Sequence, residues 1–152
     1  MKSIISKETG LFAVCITLLS FSLKPAGGEG FEIYLNNKVI LQQYGSDMNQ
    51  VKSLQLNQAS PDDKLTIKYH HCGRVGKNRI VTIKDGQNNV LKEFRYADSA
   101  TPVAAMSVPV KDMLDLKKGS SITIKLYYSS SELPNGRMLA SITTKSTSLS
   151  RL

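Results

Sequence analysis

From Phe31 onward, apolar and polar residues alternate with a period of two, in short runs rich in Ile, Val, Thr and Tyr that turn residues interrupt. Such alternation sets one face of each run against a core and the other in water, so the chain reads as a series of β-strands. Phe31, Ile33 and Leu35 form the first apolar face and Val39 and Leu41 the second. Between them Asn36-Asn37 tolerates the positive φ of a tight hairpin. A break at Tyr44-Gly45-Ser46-Asp47 leads to a short strand with Val51, Leu54 and Leu56, which ends at Asn57-Gln58-Ala59-Ser60-Pro61. Leu65, Ile67, Tyr69 and His71 then share an expected core face, with Thr66, Lys68, His70 and Cys72 on the other. Strands over Ile80 to Lys84 and Val90 to Tyr96 follow, joined by Asp85-Gly86-Gln87-Asn88-Asn89, where Gly86 supplies the backbone freedom. With short connections throughout, these three strands are expected to form a meander.

Further on, Pro109 within the run Met106, Val108, Val110 predicts an edge strand or a bulge. Asp112 to Leu116 fits a single helical turn closed by Lys117-Lys118-Gly119. The last unit places Ile122, Ile124, Leu126 and Tyr128 on one face, answered by Met138, Ala140 and Ile142 across a loop carrying Pro134-Asn135-Gly136. No run has the period and length of an ordinary helix. About eight or nine short strands make a single all-β domain, an antiparallel β-sandwich of immunoglobulin-like arrangement, with a small β-barrel as the alternative. The paired cysteines and tryptophan of an antibody domain are absent, so the expectation concerns architecture only.

Composition alters this picture first at the N-terminus. Met1, Lys2 and Lys7 precede an uncharged run from Leu11 to Leu23, and Ala26 and Gly28 offer small residues for a peptidase. That is the pattern of a secretory signal peptide. A bilayer span needs about 20 apolar residues, more than this run supplies. The expected organisation is a leader over 1–28, a sandwich over 29–145 and a polar tail over 146–152. Export to the periplasm or the cell exterior follows, with Cys15 discarded and no transmembrane segment retained. Lys2, Lys7, Lys24 and Glu8 leave with the leader, which takes the net charge from +8 to +6. That basic balance points to an unknown protein or an acidic glycan as partner rather than nucleic acid, which the compartment excludes.

Candidate chemistry concentrates in Tyr69-His70-His71-Cys72-Gly73-Arg74-Val75-Gly76-Lys77-Asn78-Arg79, which holds both histidines and the single cysteine outside the leader. Adjacent residues of one strand point to opposite faces, so the two imidazoles cannot join Cys72 in a copper site. A zinc site needs at least three protein ligands and the stretch offers His70 and Cys72 on a shared face. A nucleophilic thiolate would need a base from across a cleft. The Walker spacing also fails, since two residues rather than four separate the glycines and Asn78 follows the lysine. No catalytic residue, metal or cofactor is assigned. The candidate ligand-binding residues are Arg74, Lys77, Arg79, His70 and Cys72, in a non-enzymatic binding module whose basic loop contacts anionic groups. The alternative is a thiol- or metal-dependent protein centred on His70 and Cys72. An unpaired Cys72 in an oxidising compartment, or an edge strand, would also support a homodimer.

The stretch from Tyr69 to Lys77, with the closing hairpin from Tyr127-Tyr128 to Gly136-Arg137, resembles the small exported bacterial immunoglobulin-like proteins of uncharacterised function. The resemblance covers roughly the mature chain. It implies export and a sandwich, and it carries no activity or site residue.

Overall fold

The computed structural model describes residues 28–56, 59–116 and 123–143. The leader before Gly28, Asn57-Gln58, the helix-closing Lys117-Lys118-Gly119 with Ile122 in 117–122, and 144–152, which contains the tail, lie outside the described residues. Within them are β1 (Glu29–Leu35), β2 (Lys38–Tyr44), β3 (Lys52–Gln55), β4 (Lys64–His71), β5 (Arg79–Lys84), β6 (Val90–Tyr96), β7 (Ala105–Pro109), α1 (Val110–Asp115), β8 (Thr123–Ser130) and β9 (Leu133–Thr143). The strands make a four-stranded sheet of order β2-β1-β4-β7 and a five-stranded sheet of order β3-β9-β8-β5-β6.

The alternation places most of the core as expected, but Val39, turned outward opposite Tyr34 by a register shift, and Val51, just before β3, are exposed. Phe31 and Ile33 of β1, with Leu65, Ile67 and Tyr69 of β4, meet Val81 and Ile83 of β5 and Ile124, Leu126 and Tyr128 of β8 in one buried cluster. Two sheets, each with one apolar face, thereby cover each other. The β1–β2 hairpin forms around Asn36, whose φ is 54°. Its side-chain oxygen accepts from the Lys64 amide at 3.0 Å, tying this turn to the start of β4. The proline expectation also holds: β7 is an edge strand, and Pro109 ends it one residue before α1.

Four local expectations are overturned. β4, β5 and β6 do not form a meander, because β4 lies in the four-stranded sheet and β5 and β6 in the other. The segment after β4 therefore crosses the sandwich instead of forming a hairpin tip. The architecture is not wholly antiparallel, since β3 runs parallel to β9 with Leu54 opposite Ile142. In the β5–β6 turn it is Asn88, not Gly86, that takes the positive φ, at 69°. Asp85 fixes that turn by accepting from the amides of Gln87 and Asn89. Finally, the β8–β9 turn falls at Ser131-Glu132, while Pro134-Asn135-Gly136 lies inside β9. A bulge between Leu126 and Tyr127 leaves Leu139 as the extra residue, buried beside Ala140.

Candidate functional site

The period of β4 sends Tyr69 and His71 inward and His70 outward. Inside, the Tyr69 and Tyr128 rings stack at 4.5 Å between centroids, and the His71 ring lies 4.7 Å from Tyr69. The Tyr128 hydroxyl is 2.9 Å from His71 Nε2, and Ser130 Oγ approaches the same nitrogen at 3.3 Å. Burial lowers the His71 pKa, an effect that Glu132 and Glu29 oppose and Arg74 reinforces. Burial raises that of Tyr128. These directions favour a neutral imidazole beside a protonated phenol, and in the tautomer with its hydrogen on Nδ1 the phenol donates to Nε2. At the rim of the cluster Tyr69 donates to Glu29 Oε1 at 2.6 Å.

A serine beside a histidine invites comparison with a nucleophile and its base. In the sequence Ser129-Ser130-Ser131 reads as a polar loop with no histidine nearby along the chain, whereas Ser130 ends β8 and is buried against His71. The signal was its place two residues after Tyr128, on the inward face of β8. The pair nevertheless lacks access. Ser130 and His71 are both buried, and the crevice lined by His71, Tyr128, Gly76, Arg79 and Pro102 admits no water-sized sphere. Tyr128 also holds the imidazole nitrogen more closely than Ser130 does. The arrangement works as a packed polar seam between the sheets.

The five candidate ligand residues do not come together. Cys72 has left β4 and sits exposed in a turn with φ 52°, followed by Gly73 at 83°, so it does not continue the strand face carrying His70. His70 packs edge-on against Tyr44 on the outer surface of the four-stranded sheet, with ring centroids 5.5 Å apart. Arg79 is not a loop cation. It opens β5 on the inward face, where Nε and Nη2 both donate to the Ala97 carbonyl and Nη1 to that of Ala104. Only Arg74 and Lys77 of the five stand out as exposed cations on the connection.

That connection is fastened along its length. The Ser99 amide donates to the Gly76 carbonyl and the Ser131 amide to that of Lys77, each at 2.8 Å. The amides of Lys77 and Asn78 donate to the carboxylates of Glu132 and Asp98. These backbone donors are already engaged by the protein's own acids, so an external anion would meet side chains rather than a nest of amides. Burial pushes the Glu132 carboxyl up, and the Lys77 amide among other donors brings its pKa below the ordinary value.

Among the described residues no group of three or more His, Cys, Asp or Glu could hold a metal ion. No helix of the described residues is long and apolar enough to cross a membrane. No family model and no curated protein matches the chain.

Proposed function

We propose that the chain is an exported, non-enzymatic binding module of immunoglobulin-like topology that contacts acidic groups through Arg74 and Lys77. One observation carries the reading: these two exposed cations stand on a connection anchored to Asp98, Ser99, Ser131 and Glu132. A fixed loop presents its charges without the ordering cost that a loose one would incur on binding. The filled seam around His71 supports a binding rather than a catalytic role. Support for the topology comes from the order β9-β8-β5-β6, which corresponds to the G-F-C order of immunoglobulin domains with one strand added, and from β4 beside β7, which corresponds to B beside E.

The binding reading is tested on immobilised heparin as a polyanionic glycan. Wild type is expected to elute at higher salt than the Arg74→Ala, Lys77→Ala double variant, because each lost contact lowers the salt dependence. Equal elution of the two would retire the loop as an anion contact. The export reading is tested by the intact mass of secreted protein. A chain beginning at Glu29 is expected, because β1 starts there and Glu29 holds Tyr69. A mass retaining the first 28 residues would overturn it.

A further inference from the structure

On the outer surface of the four-stranded sheet, away from the Gly73 to Asn78 connection, a carboxylate is buried where the fold needs none. Glu32 points outward from β1, between Gln42 of β2 and Lys68 of β4, yet is only 5% exposed. Its Oε2 accepts from the Tyr34 hydroxyl and its Oε1 from that of Tyr44. Tyr44 reaches it by lying across Gly30, its pairing partner: a Cβ added at Gly30 would fall 2.1 Å from a ring carbon of Tyr44. The Lys68 ammonium stands 4.8 Å from the Tyr34 ring centroid, and His70 borders Tyr44.

A central strand is stabilised well enough by a threonine or valine at an outward position, whereas a buried carboxylate carries a desolvation cost. What Glu32 provides is orientation. Both phenol protons are committed to it, so the two phenol oxygens offer only lone pairs to anything outside, and both rings are held in fixed attitudes. Hydrogen bonding to Glu32 pushes the Tyr34 pKa up to about 12, which keeps that phenol protonated. Around the rings the same face carries the neutral hydrogen-bonding groups of Gln42, Thr66 and Ser107.

We infer that this face is a binding platform for a neutral saccharide, with Tyr44 as the stacking ring and Glu32 as the positioning residue. A pyranose presents an apolar C–H face to a ring and hydroxyls at its edge, which the phenol oxygens, Gln42 and Lys68 can meet as acceptors and donors. Of the exposed large apolar side chains only Val39, opposite Tyr34, lies on this surface, while Val90 and Leu91 belong to β6 of the other sheet, so among the described residues there is no apolar patch here of the kind a protein partner would require. A nucleic acid would want several cations here, and Lys68 stands beside an acid.

Affinity electrophoresis of the mature protein in glucomannan, xylan, laminarin and dextran tests the assignment. At least one of these is expected to retard wild type, and Tyr44→Ala is expected to weaken the retardation at least about tenfold. Circular dichroism checks that the variant folds. Should it not fold, Gln42→Arg, which leaves both tyrosines and lays a long cation beside the ring, is expected to weaken binding by at least about threefold. No retardation by any of the four, or wild-type retardation of a folded Tyr44→Ala, overturns the platform. Binding confined to charged polysaccharides and lost with Arg74→Ala and Lys77→Ala would also overturn it, and would leave the loop reading standing.

Discussion

Replacing Arg79 with alanine is expected to lower the unfolding free energy by about 3–5 kcal/mol, whereas Arg74→Ala should change it by about 0.5 kcal/mol or less. The two arginines lie five positions apart on what reads as one basic stretch, yet they do different work. Arg74 is exposed. Arg79 is 8% exposed, and three of its nitrogens bond the carbonyls of Ala97 and Ala104 at 2.8–3.0 Å. Charge-assisted bonds of this kind contribute more than neutral ones, and their loss would leave two carbonyls short of partners. The aliphatic stem adds packing, since its Cδ lies 3.0 Å from where a Cβ at Gly76 would sit. Arg79→Met separates the two contributions by keeping most of the stem and removing the fork. It is expected to recover the smaller part of the loss, about 1–2 kcal/mol. Arg79→Lys should rescue little, because one ammonium cannot reproduce a planar fork spanning two carbonyls. Denaturant unfolding at neutral pH gives all four values. An Arg79→Ala midpoint equal to wild type would show that the guanidinium is not the staple joining β5 to the connection between β6 and β7.

Arg79 also marks where the sequence was legible and was misread. Arg79, Val81 and Ile83 alternate, and that period already placed the guanidinium on the inward face of β5. A cationic side chain next to Gly76, Lys77 and Asn78 suggested a loop instead. Strand faces were readable because side-chain direction is a local property of an extended chain. Strand partners were not. Seven residues between β4 and β5 can close a hairpin or cross between sheets, and nothing within Cys72 to Asn78 distinguishes the two. β3 is four residues long, too short for its pattern to announce a parallel neighbour. Nothing near Glu32 in the sequence marks its burial, because one of the two tyrosines that cover it comes from twelve residues away, over a glycine whose purpose appears only in register. Ser130 was likewise legible in face and illegible in partner. Its contact with His71 spans 59 residues, a pairing set by the way the sheets stack.

Truncating Tyr128 to alanine is expected to cost about 3–5 kcal/mol, as other deletions of a fully buried aromatic side chain do. The ring is 1% exposed, stacks on Tyr69 at 4.5 Å and carries the hydroxyl that reaches His71. Tyr128→Phe isolates that hydroxyl. It preserves the stack and leaves His71 Nε2 with Ser130 alone, so a cost of about 1–2 kcal/mol is expected at pH 7.5. The pH dependence then distinguishes a hydrogen bond to neutral imidazole from simple packing. In the fold the His71 pKa is lowered from its ordinary value of 6.5, chiefly by burial. As pH falls below 6.5 the unfolded chain takes up the proton first, and the stability that neutral His71 contributes is lost progressively toward its folded pKa. Removing the phenol donor withdraws a bond that favours the neutral form, so the folded pKa should rise and the loss of stability with acid become smaller. Tyr128→Phe is therefore expected to be less stable than wild type at pH 7.5 and to close part of that gap near pH 5. Imidazole titration by NMR supplies the independent readout, with the His71 midpoint moving upward in the variant. A midpoint unchanged by the substitution, together with a constant stability difference across the same range, would mean that Tyr128 supports the seam by packing and that its hydroxyl does not set the state of His71.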